Sequence, residues 1–499
     1  MHPSDTAEHR LPPRAIPLFA VHAIRELLPI LVVALVSGRL DLEELGFWLF
    51  AGTAAVLLGF LNWYTTRFAF LPEHVSLKSG LLFREHRQLP WARIQNLSVT
   101  RGPLHRLLGI SHLRIESASG AGTEINLNGM TAAQIDDLRQ RFDALQAPAA
   151  GSTTDSTDAG SAVPPFKQLG TGELVRLGLI ENRGLIVVGA AFGLLAQNDE
   201  LFRPLYRAIK SLEAWFPRLS ADASDPLGQA LFWGSLLIAW LVVVRLFSIA
   251  HAIWMHHGYT LRIDGDRLRV EEGLLTTRQL SARIPRIQRV SLREGVLHRL
   301  AGRAAIRIAT AAQVALNETG SQLRDVLPIG TPDDARRLLP ILLPGWDWRR
   351  LGFERLPPRA LARAYLTRIP LWMLAVTGAG LYSALAAIAV IALGLLHLLL
   401  IALDHHNARL GVDHHGLILL RVGLSRRAEF LPKARIQARS LAQSPLDRAL
   451  GLARIRLDVA GGGAMSWLTL PPLELERAFE ILRQLEAGRS PSSRSDSAR

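Results

Sequence analysis

Leu89-Pro90-Trp91-Ala92-Arg93-Ile94-Gln95 returns near the C-terminus as Leu431-Pro432-Lys433-Ala434-Arg435-Ile436-Gln437. Its second half stands in mid-chain as Pro285-Arg286-Ile287-Gln288. Fourteen residues after each Gln comes a glycine: Gly109, Gly302 and Gly451. Leu-x-Arg triplets precede the glycine, as Leu104-His105-Arg106, Leu297-His298-Arg299 and Leu446-Asp447-Arg448. Four residues beyond it comes an apolar-Arg-apolar step: Leu113-Arg114-Ile115, Ile306-Arg307-Ile308 and Ile455-Arg456-Leu457. A register held over about twenty residues in three places marks a triplicated unit.

At 499 residues the chain exceeds one ordinary core, so several domains are expected. The apolar fraction is 49% and the mean hydropathy is positive, which with long uncharged runs points to membrane insertion. Net charge is +14, and the 57 basic residues are nearly all Arg. Such a balance suits nucleic acid, anionic lipid or basic cytoplasmic loops, and the apolar runs favour the last two. With no cysteine, disulfides and thiolate chemistry are excluded. Residues 1–15 are polar and Pro-rich with no small-residue cleavage site behind a short apolar core, so no cleavable signal peptide is expected.

Each repeat reads as apolar helices followed by strands and a closing helix. Residues 12–66 make a first helix pair, interrupted by His22 and Arg25-Glu26, with an acidic turn at Arg39–Glu44. Its second run, Gly46–Tyr64, carries no charge and matches a hydrocarbon core of about 30 Å. Residues 67–146 alternate in strand fashion, turn at Gly80 and Ser119-Gly120, and end in a helix over Thr131–Leu145. A Ser/Thr/Gly/Pro-rich linker is expected over 147–168. Residues 169–252 hold a lead-in helix (Glu173–Ile180) and a second pair, Gly184–Asn198 and Leu227–Val244. A second β domain follows over 253–346, with a turn at Asp264-Gly265-Asp266 and a closing helix capped by Thr331 ahead of Pro332. Residues 357–405 comprise a lead-in helix (Arg359–Arg368) and the uncharged run Ile369–Leu403. That run is too long for one span and slightly short for two, and Arg on both flanks predicts a tight hairpin turning near Thr377–Ser383. A third β domain occupies 406–487, and a polar tail, 488–499, is expected to be disordered.

The Gly-Leu-Leu turn, the Pro-x-x-Arg-Ile-Gln step, the Leu-x-Arg-x-x-Gly step and the Val/Ile-Arg-Ile strand resemble bacterial PH-like domains. The whole arrangement over residues 12–487 is similar to the YdbT-like membrane proteins. The middle copy lacks the Leu-Pro-x-Ala lead. The resemblance implies an α+β membrane protein: three transmembrane helix pairs, each followed by a small antiparallel β-sandwich capped by a C-terminal helix. It implies a multi-pass protein of the bacterial plasma (inner) membrane, with both termini and the PH-like domains cytoplasmic, and no enzymatic activity.

No site chemistry contradicts that expectation. The glycines at 461–463 have no Lys-Ser/Thr behind them, and neither His-Glu-x-x-His nor Gly-x-Ser-x-Gly occurs. The pairs His256-His257, His405-His406 and His414-His415 read as interfacial polar residues rather than metal ligands, since neighbours on a strand face opposite ways. Neither metal nor cofactor is expected. The repeated arginines, Arg93, Arg286 and Arg435 at one position and Arg106, Arg299 and Arg448 at another, are the candidate binding residues. They either pair within the sandwich or form an anion-facing patch. Residues 65–115, 258–308 and 407–457 carry net charges of +6, +6 and +7. The reading is a non-enzymatic scaffold or adaptor that presents PH-like domains to anionic lipid headgroups or a protein partner. The alternative is a transporter or channel with regulatory PH-like domains, supported by Arg25, Glu26, Arg245 and His397 alone. Nucleic-acid binding is not expected, because aromatic interleaving is absent.

Overall fold

In the computed structural model, the described residues are 9–36, 45–80, 84–117, 123–146, 164–196, part of 203–211, 226–310, 325–347, 350–459 and 468–486. Most of the expected linker, the acidic turn Arg39–Glu44, the glycines 461–463 and the expected tail lie outside them. Two compact units make up the chain. The first runs to Ser281 without Gly265–Leu268, and the second takes Gly265–Leu268 and Ala282 onward. The expected middle domain, 253–346, is thus divided between them.

The first unit opens with β1 (His9–Arg10), helices α1 (Ile16–Val36) and α2 (Leu45–Thr65), then β2 (Arg67–Phe70), β3 (His74–Ser79) and β4 (Glu85–Pro90). These strands make one sheet in the order β1-β2-β3-β4. A 3-10 turn, Trp91–Arg93, then carries the chain out of that sheet. There follow β5 (Ile94–Arg101), α3 (Pro103–Leu107), β6 (Ile110–Ser117), β7 (Thr123–Thr131) and α4 (Ala132–Gln146). Next come β8 (Lys167–Gln168), α5 (Thr171–Ile180), α6 (Arg183–Ala196), α7 (Pro226–His256), β9 (Thr260–Asp264), β10 (Arg267–Glu272) and β11 (Thr277–Arg283). Strands β5 to β11 form a seven-stranded sheet in the order β7-β6-β5-β11-β10-β9-β8. Phe68, Val75 and Leu77 of the first sheet bury against Ile94, Val99, Leu113 and Ile125 of the second, and Ile135, Leu138 and Phe142 of α4 close the core. Each such side chain contributes about 1.5–3 kcal/mol on burial.

The second unit repeats the plan from another 3-10 turn, Ile284–Arg286. Its first elements are β12 (Ile287–Glu294), α8 (Val296–Leu300), β13 (Ala304–Thr310), β14 (Asp325–Gly330), α9 (Pro332–Leu342) and β15 (Glu354–Arg355). Helices α10 (Pro358–Tyr382) and α11 (Ala384–Asn407) lead to β16 (Arg409–Val412), β17 (Gly416–Val422) and β18 (Arg426–Pro432). A third turn, Lys433–Arg435, opens β19 (Ile436–Ala442), α12 (Pro445–Ala449), β20 (Leu452–Val459), β21 (Leu468–Thr469), β22 (Leu473–Glu474) and α13 (Leu475–Glu486). The sheet orders are β14-β13-β12-β18-β17-β16-β15 and β19-β20-β21, with β22 on β20. Leu417 and Leu431 pack with Ile455, Leu457, Ile481 and Leu485 in the third repeat's core.

Neighbouring repeats also share sheets, a continuity that the motif spacing does not predict. β5 of the first repeat pairs antiparallel with β11 of the second, and β12 of the second with β18 of the third. The reason is edge chemistry: each half-sheet has a row of unsatisfied N–H and C=O groups that a neighbouring strand satisfies.

Every helical segment is entered from a two-residue strand that pairs with the strand leaving it: β1 with β2, β8 with β9, β15 with β16. Small residues let the helices meet. A Cβ on Gly59 of α2 would stand 2.7 Å from the Phe19 carbonyl oxygen of α1, and one on Gly178 of α5 2.4 Å from Ile249 Cα of α7. Helices α10 and α11 run antiparallel about Ser383, where the uncharged run turns back. Tyr365 donates to the Leu398 carbonyl, and Trp372 meets His397 and Gly394. The expected lead-in Arg359–Arg368 is not a separate helix but the first turns of α10. Likewise α7 continues past Val244 to His256, because Arg245 donates to Asn182 Oδ1 at 2.6 Å and to the Leu179 carbonyl at the end of α5. Among the described residues three helices are long and apolar enough to cross a membrane: Gly46–Thr65, Trp233–His256 and Ala384–Asn407.

Candidate interaction sites

The repeated motif has a backbone explanation at each position. Strand registers skip one residue after Ile94, Ile287 and Ile436, so Gln95, Gln288 and Gln437 are the extra residues of three β-bulges. Each bulge directly follows a 3-10 turn, and together they re-aim the chain from one sheet into the next. Gly109, Gly302 and Gly451 sit at φ +65°, +61° and +65°, a region that costs side-chain-bearing residues energy. Their N–H groups donate to the carbonyls of Arg106, Arg299 and Arg448, ending α3, α8 and α12.

The arginine side chains do not converge on one point. Arg435 donates to the Pro285 carbonyl of the preceding repeat, and Arg299 donates to the Leu424 carbonyl of the following one at 3.3 Å. Arg286 is half-buried; desolvation, then Arg283 and Arg435, lower its pKa. Arg93, Arg106 and Arg448 are exposed.

Arg106 lines a cleft of about 500 Å³ in the first unit together with Arg101, Arg278, His257, Glu271 and Glu272. A second cleft there, about 510 Å³, lies where α1 and the end of α2 meet β6 and β7. Its polar lining is His22, Arg25, Asn62, Thr66, Ser79, His105, His112, Arg114, Asn126 and Asn128, with no carboxylate among them. Burial pushes the His112 imidazole down to about 4, against the pull of its hydrogen bond to Asn126, so it is neutral at pH 7. Arg25 and Arg114 are the two arginines of the described lining. A cleft in the second unit, about 280 Å³, mixes Arg363, Arg368 and Arg421 with Asp404, and Asp404 bonds Arg421 at 2.5 Å.

The model of the family described as "Bacterial PH domain" matches residues 16–146, 211–343 and 365–489. The chain belongs to the bacterial PH domain family. It is also 21% identical over 500 residues to UPF0699 transmembrane protein YdbT of Bacillus subtilis (strain 168), covering 95% of this chain and 97% of that one. The bacterial PH repeats are three, as the motif spacing predicts, and the protein is a membrane protein with transmembrane helices.

Other polar groups brace the bacterial PH repeats. His256, at the end of α7, bonds Glu272 at 2.7 Å, and Asp413 accepts from the His415 and Gly416 N–H groups in a turn. No group of three or more His, Asp or Glu suited to a metal occurs among the described residues. Asp447 is fully buried. Burial raises its pKa, but the Ser444 N–H, the Ser444 hydroxyl and Arg363 of α10 bring it down to about 2. Sequence reasoning missed this tie between helix and domain. It also missed a repeat in plain view: Arg10-Leu11-Pro12-Pro13-Arg14-Ala15 recurs as Arg355-Leu356-Pro357-Pro358-Arg359-Ala360. There the lead strands β1 and β15 enter the helices, and both Leu11 and Leu356 are buried.

Proposed function

We propose that the protein is a non-enzymatic scaffold of the bacterial plasma membrane whose PH repeats lie on the cytoplasmic side against anionic lipid headgroups. The observation that carries this is the 510 Å³ cleft at the foot of the first helix pair, whose described lining includes Arg25 and Arg114 and no carboxylate. Asn62 and Thr66 stand at the end of the apolar stretch Gly46–Thr65, so the cleft opens at headgroup depth. A phosphate there would meet two guanidiniums and amide donors. Each cation near an anionic leaflet contributes about 1 kcal/mol.

The topology in this reading is six spans. Each helical segment begins and ends at two adjacent paired strands, so it must return to the side from which it left. Arg-rich flanks favour the cytoplasm for that side. A protein partner for the repeats belongs to the same reading.

The test uses the full chain in nanodiscs. Native mass spectrometry of the wild type should retain anionic phospholipid in preference to phosphatidylcholine, the preference falling with salt. The double variant Arg25→Ala, Arg114→Ala should lose that preference with unchanged circular dichroism. Equal retention of neutral and anionic lipid by the wild type sinks the headgroup reading.

A further inference from the structure

The two internal seams share one register. Counted from the motif glutamines, the residue eleven before one Gln lies opposite the residue six after the preceding Gln: Thr277 faces Arg101, and Arg426 faces Glu294. The next pairs agree as well, Arg278 with Thr100 and Arg427 with Arg293. A triplicated chain with such seams has two matching ends. β4 is the first repeat's counterpart of β11 and β18, and β19 is the last repeat's counterpart of β5 and β12. Among the described strands, each lies at the edge of its sheet.

We propose that a second copy of this chain adds its β4 to β19, in the register of the internal seams, joining copies head to tail. The pairs are Glu85 with Ala442, His86 with Leu441, Arg87 with Ser440, and Gln88 with Arg439. Two observations support the occupant. The serine three residues after each motif glutamine is buried in both seams, Ser98 at 2% and Ser291 at 5% exposure, while Ser440 on the open edge is exposed. Across the internal seam, Arg435 donates to the carbonyl three residues before the preceding repeat's glutamine, at Pro285. Its first-repeat counterpart Arg93 is exposed, and the matching acceptor in the last repeat is the carbonyl of Ala434, also exposed. The same bond forms between copies. Strand addition of this kind takes its affinity from main-chain hydrogen bonds and its choice of partner from register and side chains. Because the two edges differ, the contact is heterologous and closes as a ring or grows as a row. This inference stands apart from the headgroup reading and uses neither cleft.

The chain has no cysteine, so engineered ones report only on the designed contact. Two differently tagged chains, one Arg87→Cys and one Ser440→Cys, are co-expressed and oxidised in native membranes. Directly opposite residues bring Cβ atoms to about 5 Å, close enough for a disulfide after small adjustment. The expected result is a disulfide-linked heterodimer absent from each variant alone and much weaker when Leu441→Cys, on the opposite face of the strand, replaces Ser440→Cys. Adding Arg93→Ala to the first chain should lower the yield by about tenfold. A monomeric mass for the wild type in native nanodiscs overturns the proposal. So does a disulfide that forms only within one chain carrying both cysteines, or equal yields from Ser440→Cys and Leu441→Cys.

Discussion

At the scale of single residues, Asp447 bears most on stability. It accepts from the Ser444 N–H at 2.9 Å and the Ser444 hydroxyl at 2.7 Å, meets Arg454 at 3.2 Å, and pairs with Arg363 of α10. Asp447→Asn leaves Arg363 without its buried anion, and the expected loss is about 3–5 kcal/mol, read as a lower melting temperature in detergent. The sign with pH follows from the depressed pKa. The carboxylate's contribution is present above the ordinary value of 3.8 and disappears as pH falls through about 2, so the variant should lack that acid-induced decline. His112 acts over a different window. Its imidazole is held down near 4 while the unfolded chain protonates near 6.5, so acidification between these values favours unfolding. His112→Asn should flatten the stability profile there, and an unchanged slope would refute the assignment. The Leu-x-Arg triplet was legible as a repeat, but the middle residue is His in two copies, His105 and His298, and Asp447 in the third, and its role depends on what packs against it.

At the scale of elements, sequence spacing located strands, turns and apolar runs because burial imposes its period on them. The Gly451 φ of +65° explains why a glycine closes each short helix. Gly451→Ala should cost about 1–2 kcal/mol, checked by thermal unfolding, although only Arg359 Nη1 lies near the added Cβ, at 3.7 Å. Helix contacts were less legible. Gly178 and Gly189 read alike in sequence, yet a Cβ at Gly178 meets the α7 backbone while one at Gly189 meets nothing within 4 Å. Gly178→Leu should therefore part α5 from α7 and lower the yield of folded protein, whereas Gly189→Leu should be tolerated. Equal yields would mean that the glycine is not there for close packing. The length of α7 also escaped the sequence: the apolar run Leu227–Val244 stops short of Arg245, whose partners are Asn182 and the Leu179 carbonyl of α5.

At the scale of the whole molecule, the proposed six-span topology takes an even number of crossings in each helical segment. Alkaline phosphatase fused after Gln146 or after Arg499 should be inactive, and activity at either point would break the six-span topology. The shared sheets carry a second consequence. Residues 406–487 expressed alone leave behind β12 and β15, the two strands that flank β16–β18 in their sheet. That fragment should melt below the full chain or aggregate through its bared β18 edge. The sequence by itself determined the triplication, the order of elements in each repeat, the bulge-and-glycine motif and the membrane character, since these rest on local dihedral preference and on the spacing of apolar residues. Only the tertiary structure decided which half-sheets join, where Arg93 and Arg435 differ, and that β4 and β19 are left at edges. Main-chain hydrogen bonding is blind to side-chain identity, so partner strands are chosen by which edges meet in space.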